Sequence, residues 1–292
     1  EYAFGGSEEI VGRALKGRRD DVVLATKFNH QMRPGLNTLG NSRRWIMTAV
    51  EDSLRRLGTD YIDLYQAHRP DPSTDIDETL GALSDLMHQG KVRAIGTSAF
   101  PAEQLVEAQW VSERRGRERF ATEQLAYSIL SRQAEAAVLP TAEKYAIAVL
   151  VFSPLNGGWL AGKYKRGEAA APGSRAARHP DYFDHGHAAI AERKFDAVEQ
   201  IEALAGEAGL SLLQLALGFV VAHPAVTSAI IGPRTYEQLE QQLDAADVTL
   251  TSDVLDRIDE IVRPGLNINP DDVGWTPPSL REAHLRRRKG VV

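Results

Sequence analysis

The stretch "DYIDLYQAHRPDP" (60–72) alternates apolar and polar residues, then stops at a histidine followed by Arg-Pro-Asp-Pro. Side chains alternate along a strand, so Ile62, Leu64, Gln66 and His68 share one face. Immediately upstream, "SRRWIMTAVEDSLRRLG" (42–58) has a helical period. Trp45, Ile46, Ala49, Val50, Leu54 and Leu57 fall on one side of it, with Ser42 as N-cap and Gly58 as stop. A helix that feeds an apolar strand is the repeating piece of a parallel sheet.

The piece recurs along the chain. Strands are expected at 22–28, 61–68, 92–100, 121–127, 146–155 and 227–233. Helices are expected at 76–89, from Pro101 onward, and at 133–145, 189–207, 211–222, 235–245 and 251–262, with Ser211 capping the fifth of these. A Gly-, Ala-, Arg- and His-rich loop fills 156–188, and the tail after Pro264 is proline-rich and irregular. A closed barrel needs eight strands and this pattern has six, which places the first two β/α units, about 50 residues, before residue 1. The expected fold is therefore α/β: a (β/α)8 TIM barrel lacking its first two units, one domain over residues 1–292.

Composition narrows the function. At 292 residues, 43% hydrophobic and 25% charged, the chain has the profile of a soluble protein with an ample core. A net charge of −6 argues against broad nucleic-acid affinity. The basic cluster Arg286-Arg287-Arg288-Lys289 reads as a solvated terminus. Cysteine is absent, which removes disulfides, thiolate metal sites and a thiol nucleophile, and suits a reducing cytoplasm. No run reads as a membrane span or a signal peptide.

Polar groups close nearly every strand. The inward-facing set ends at Lys27 on the first strand, His68 on the second and Ser98 on the third. Gln124 sits on the fourth, Ser153 beside Phe152 on the fifth, and Gly232-Pro233-Arg234 on the last. A ring of functional groups at the C-terminal ends of parallel strands is where barrels build active sites. An amide and a hydroxyl suit a carboxamide, and an aromatic ring suits a flat heterocycle. Arg234 just ahead of a helix suits a phosphate. Together these types describe carbonyl reduction by a nicotinamide nucleotide. No Gly-x-Gly-x-x-Gly follows a strand, which disfavours a Rossmann dehydrogenase.

The motifs "EYAFGGSEEIVGRAL", "SLRRLGTDYIDLYQAHRPD", "VRAIGTSAF", "EQLAYSIL", "FSPLNGGWLAGKY" and "SAIIGPRTYEQLEQQL" resemble, in this order, those of the aldo-keto reductases, NADPH-dependent barrel oxidoreductases, here of bacterial type. The resemblance implies Tyr2 as proton donor, Lys27 as the lysine that tunes it, and His68 as the group that orients the carbonyl. It implies Ser98 and Gln124 on the nicotinamide carboxamide and Phe152 stacking on its ring. Ser153, Leu155, Gly157 and Lys163 would lie along the pyrophosphate. Gly232, Arg234, Gln238 and Gln242 would hold the adenosine 2′-phosphate and adenine, which favours NADPH over NADH. Ala99 stands where the family usually carries Asn, and Gln242 where Asn is common. The family's Asp that pairs with the lysine falls upstream of Glu1.

The expected partner is a small-molecule aldehyde or ketone, with no nucleic acid, membrane or metal. Neither the particular carbonyl nor an oligomeric state is readable. The alternative is a cofactor-binding regulatory protein resembling the β subunits of potassium channels. His185 and His187 lack a third ligand at suitable spacing and read as solvated. Ser7 reads as the N-cap of a capping box, Glu8 and Glu9 as surface acids, and Asp71-Pro72 as the shaper of a turn. Trp275 is a candidate pocket wall, and Trp159 either a wall or a core residue.

Overall fold

The computed structural model describes residues 2–169, 171–178 and 188–287. His185, His187, Arg288 and Lys289 lie outside these. Two compact units can be distinguished, Glu1–Gln124 with Thr141–Ala148, and Leu125–Pro140 with Val149–Val292.

The first unit runs α1 (Gly6–Ala14), β1 (Ala25–Phe28), α2 (Arg43–Leu57), β2 (Ile62–Ala67), α3 (Ile76–His88), β3 (Val92–Ser98), α4 (Ala102–Arg115) and the start of β4 (Thr122–Ala126). All its pairings are parallel: Lys27 stands beside Gln66, Gln66 beside Gly96, and Ser98 beside Gln124. The helices cover the sheet with faces that the apolar period foretells. Trp45, Ile46 and Val50 of α2 are almost wholly buried, as are Leu80, Leu83 and Leu86 of α3. Each such side chain contributes about 1.5–3 kcal/mol over leaving it in water. The Ser42 hydroxyl accepts the Trp45 N–H, and Gly58 closes α2 in a left-handed turn, as expected.

Two expectations near the N-terminus change. Gly5, not Ser7, is the N-cap of α1, and Ser7 sits inside the helix. Glu8 is not a surface acid but is 5% exposed. Its carboxylate accepts the Thr26 hydroxyl at 2.6 Å and pairs with the Arg56 guanidinium at 2.6 Å, tying α1 to β1 and α2. Burial alone would raise its pKa, but these hydrogen bonds outweigh it and hold the carboxyl below its usual range. Pro101 is the N-cap of α4 rather than its first residue.

The second unit contains α5 (Val138–Lys144) in part, β5 (Ala148–Phe152) from Val149, α6 (Arg175–Arg178), α7 (Ala188–Glu207), α8 (Leu212–Ala222), β6 (Val226–Ala229), α9 (Tyr236–Leu243), α10 (Ser252–Ile261) and α11 (Pro278–Arg281). β5 and β6 pair in parallel. Ser211 forms a reciprocal capping box with Gln214. The segment expected as one helix at 133–145 is a short 3-10 turn, Gln133–Ala136, followed by α5. The loop at 156–188 carries structure too: a 3-10 turn at Asn156–Ala161 and the single turn of α6. The tail is likewise pinned, its Ile268 N–H donating to the Leu130 carbonyl at 3.0 Å. Among the described residues no single helix is long and apolar enough to cross a membrane; α7 and α8 reach that length and apolarity only together and are bent by 94°.

Two interactions under the strand ends are testable. A Cβ added at Gly96 would lie 2.0 Å from Thr122 Oγ1 and 2.9 Å from its carbonyl oxygen, so β3 and β4 approach this closely only because residue 96 lacks one. Gly96→Ala is expected to cost about 1–3 kcal/mol in urea unfolding; an unchanged midpoint would show that the strands part without penalty. Asp71 does shape its turn, accepting the Asn41 N–H at 2.8 Å, the Ser73 N–H and hydroxyl at 3.0 and 2.6 Å, and the Thr74 hydroxyl at 2.8 Å. Burial pushes its carboxyl up, but these donors prevail and its pKa is lowered. A depressed carboxylate contributes stability above its unfolded pKa and loses it as pH falls through the folded value. Asp71→Asn should therefore cost about 1 kcal/mol at pH 7 and progressively less below about pH 4. A penalty equal at pH 7 and pH 3 would assign the effect to shape rather than charge.

Candidate active site

In the first unit three predicted residues meet at the ends of β1 and β2. Tyr2 Oη lies 3.3 Å from His68 Nε2, their rings edge-on at 5.5 Å between centroids. The Lys27 ammonium is 5.6 Å from the centre of the Tyr2 ring. His68 continues the β1–β2 ladder, its N–H donating to the Phe28 carbonyl at 2.9 Å, and it is 5% exposed. Tyr2 is 56% exposed, so the hydroxyl that meets the buried imidazole is on an open side chain.

Two neighbours escaped the sequence reading. The His30 ring lies tilted against the His68 ring, 4.4 Å between centroids. Arg69 donates from Nη1 to the His68 carbonyl and, at 3.3 Å, to Ser98 Oγ. The signals were weak: His30 lies past the end of β1, beyond the reach of alternation, and Arg69 merely follows a histidine. Ser98 and Gln124, 1% and 8% exposed, are register partners across β3 and β4. Strand pairing alone therefore brings the hydroxyl and the amide together.

In the second unit, a cavity of about 470 Å³ is lined by Phe152, Ser153, Gly157, Arg175, Trp275 and Arg281 among others. Trp275 thus lines a cavity. Of the two readings of Trp159 the core one holds: it is fully buried against Phe195 and Tyr164. Ser153 has φ 56 and Gly157 φ 68, so the chain turns sharply as it leaves β5. Leu155 is half-buried and Lys163 exposed, with the Lys163 N–H donating to the Gly158 carbonyl.

Lys194, unsuspected from the sequence because it lies mid-helix in α7, is 1% exposed. Its ammonium donates to Asn156 Oδ1 at 2.8 Å and Asp272 Oδ2 at 2.9 Å, fastening the turn after β5 to the tail. Tyr127 also borders the cavity, but its hydroxyl donates to Glu135 at 2.6 Å. Burial first, then that carboxylate, raise its pKa, so it holds its proton.

Gly232 and Arg234 are exposed ahead of α9. Arg234 Nη1 donates to the Gly173 carbonyl at 2.7 Å, two residues from Arg175. Gln238 Oε1 accepts the Arg234 N–H at 3.0 Å. Gln242, 9% exposed, has a buried Oε1 with no hydrogen-bond partner among the described residues.

Comparison with known proteins gives the family. The sequence profile of the Aldo/keto reductase family matches residues 2–263. Aldo-keto reductase YhdN of Bacillus subtilis (strain 168) is 36% identical over 96% of this chain and 83% of its own length. Uncharacterized oxidoreductase YrpG of the same organism is 37% identical over 93% and 82%. A probable voltage-gated potassium channel subunit beta of Arabidopsis thaliana is 34% identical over 90% and 81%. With a family match across nearly its whole length, the chain belongs to the aldo/keto reductases, oxidoreductases built on the (β/α)8 barrel.

Proposed function

We propose that this chain, as one barrel domain, uses NADPH to reduce an aldehyde or ketone to the alcohol. The observation that carries the reading is the 3.3 Å approach of Tyr2 Oη to His68 Nε2, with Lys27 beside the Tyr2 ring. An ammonium near a phenol stabilises the phenolate as its proton leaves, which makes the hydroxyl a usable acid. Tyr2 gives its proton to the carbonyl oxygen, and the buried His68 imidazole fixes the direction of that oxygen. NADPH, when bound, supplies the hydride to the carbonyl carbon.

The residues present fit that cofactor. The orphaned Oε1 of Gln242 is an acceptor that an adenine amine would satisfy. Arg234, exposed at the start of α9, suits the 2′-phosphate through its guanidinium. Ser98 and Gln124 would hold the carboxamide and Phe152 would stack on the nicotinamide ring. Ser153, Leu155, Gly157 and Lys163 would line the pyrophosphate, with Arg175 a further cation in the same cavity. Gly232 and Gln238 would flank the phosphate. A second reading, NADPH binding with negligible turnover, is favoured by the similarity to the potassium channel β subunit. The approach of Tyr2 to His68 favours the enzyme.

Two variants test the reading. Tyr2→Phe should lower kcat by about 10³-fold or more while NADPH affinity, followed by tryptophan fluorescence, stays within about threefold. Near-normal turnover would remove Tyr2 as the proton donor, and a wild type that binds NADPH without turnover would favour the second reading. Arg234→Ala should weaken NADPH by about tenfold and leave NADH unchanged; equal losses for both would detach Arg234 from the 2′-phosphate.

A further inference from the structure

Glu123 is a fully buried acid that the chemistry proposed above leaves unused. It lies on β4 between Thr122 and Gln124, so its side chain points to the opposite face from theirs. Its hydrogen bonds converge on one short segment. Oε2 accepts the Thr97 hydroxyl, and Oε1 accepts the Phe100 N–H at 3.2 Å. The Ala99 N–H, which donates to the Gln124 carbonyl at 2.9 Å, also bonds the carboxyl. Thr97, Ala99 and Phe100 are thus gathered round one carboxyl group, and Ser98 is the residue they enclose.

The segment needs such a hold. Ala99 has φ 57, a left-handed conformation in which the Cβ of an alanine is strained. Glycine would adopt it freely, and asparagine more easily than alanine. The turn here is held from below instead, by an acid whose register partner is Thr97. Burial pushes the Glu123 carboxyl up to about 8 against the pull of these donors and of the Arg69 charge. The hydrogen bonds it accepts from Thr97, Ala99 and Phe100 offset part of that desolvation cost.

We propose that Glu123 is a positioning residue of the cofactor site: it holds the left-handed turn at Ala99, and so sets the Ser98 hydroxyl beside the Gln124 amide for the carboxamide of the nicotinamide. The inference rests on the proposed NADPH site. Glutamine at position 123 keeps the shape but replaces one acceptor oxygen with an amide donor. The turn then loses part of its hold, and the strain at Ala99 is free to relax.

The test is NADPH titration of the full chain by fluorescence, with thermal unfolding of each variant alongside. Glu123→Gln should raise the NADPH Kd by about tenfold, and adding Ala99→Gly should return it to within about threefold of wild type. Thr97→Val, which removes one donor and leaves the acid in place, should raise the Kd by about fivefold, outside that margin, and serves if Glu123→Gln does not fold. A lowered unfolding midpoint with wild-type Kd in the folded Glu123→Gln protein, or in Thr97→Val if that variant is the one that folds, would make Glu123 merely structural and overturn the inference while leaving the NADPH reading intact. Failure of Ala99→Gly to restore affinity would overturn it as well. A wild type that binds no NADPH would overturn both.

Discussion

From Ile62 to Ala67, β2 pairs in parallel with β1 on one side and β3 on the other, and the first unit depends on that double pairing. Its register decides which residues turn to the inside, because a slip of one position would exchange the two faces. With Lys27 beside Gln66 and Gln66 beside Gly96, the inward residues form layers, and His68 emerges one step beyond the last of them. Tyr2 then needs only to arrive from the 3-10 turn ahead of α1, Tyr2–Gly5, for its hydroxyl to meet the imidazole. The close approach at Gly96 extends the same register to β4 and sets Ser98 against Gln124.

Buried charges hold the segments that this ladder leaves loose. Glu8 with Thr26 and Arg56 anchors α1, the helix that follows the turn holding Tyr2. Lys194 with Asn156 and Asp272 anchors the turn after β5 and the tail beside the cavity. Arg132, also buried, pairs with Glu135 at 2.9 Å and donates to the Val262 carbonyl at 2.7 Å, where α10 ends. Such pairs add little net stability over apolar packing, but removing one partner strands the other charge in a poor solvent for it. What they supply is a single geometry for loops whose own sequence does not specify one.

Much was legible because it is local. Ser42 and Ser211 cap their helices through bonds reaching three residues, and the strands reveal themselves by alternation over five or six. Lys27, His68 and Ser98 close the alternation of their strands, and Gln124 is the hydrogen-bonding member of the face that Thr122, Gln124 and Ala126 share. Misreadings arose where a local pattern had a distant competitor. Ser7 and the acid after it looked like the start of a helix, yet Gly5 opens it, and Glu8 is drawn inward by Thr26 and Arg56. Trp159 is a different case: the sequence leaves it open between pocket wall and core, and Phe195 and Lys194 of α7 decide for the core.

By itself the sequence determined the α/β class, the order of strands and helices, and the polar residues at the strand ends, because each follows from a periodicity of two or 3.6 residues. Only the tertiary structure decided which distant groups become neighbours. It set the His30 ring against His68, joined Arg69 to Ser98, brought Arg234 to the segment before Arg175, and buried Glu8, Glu123 and Lys194 with their partners. Those contacts cross gaps in the chain of 18 to 78 residues, where no local propensity acts. There the outcome is set by strand register and by the need of every buried polar group for a partner.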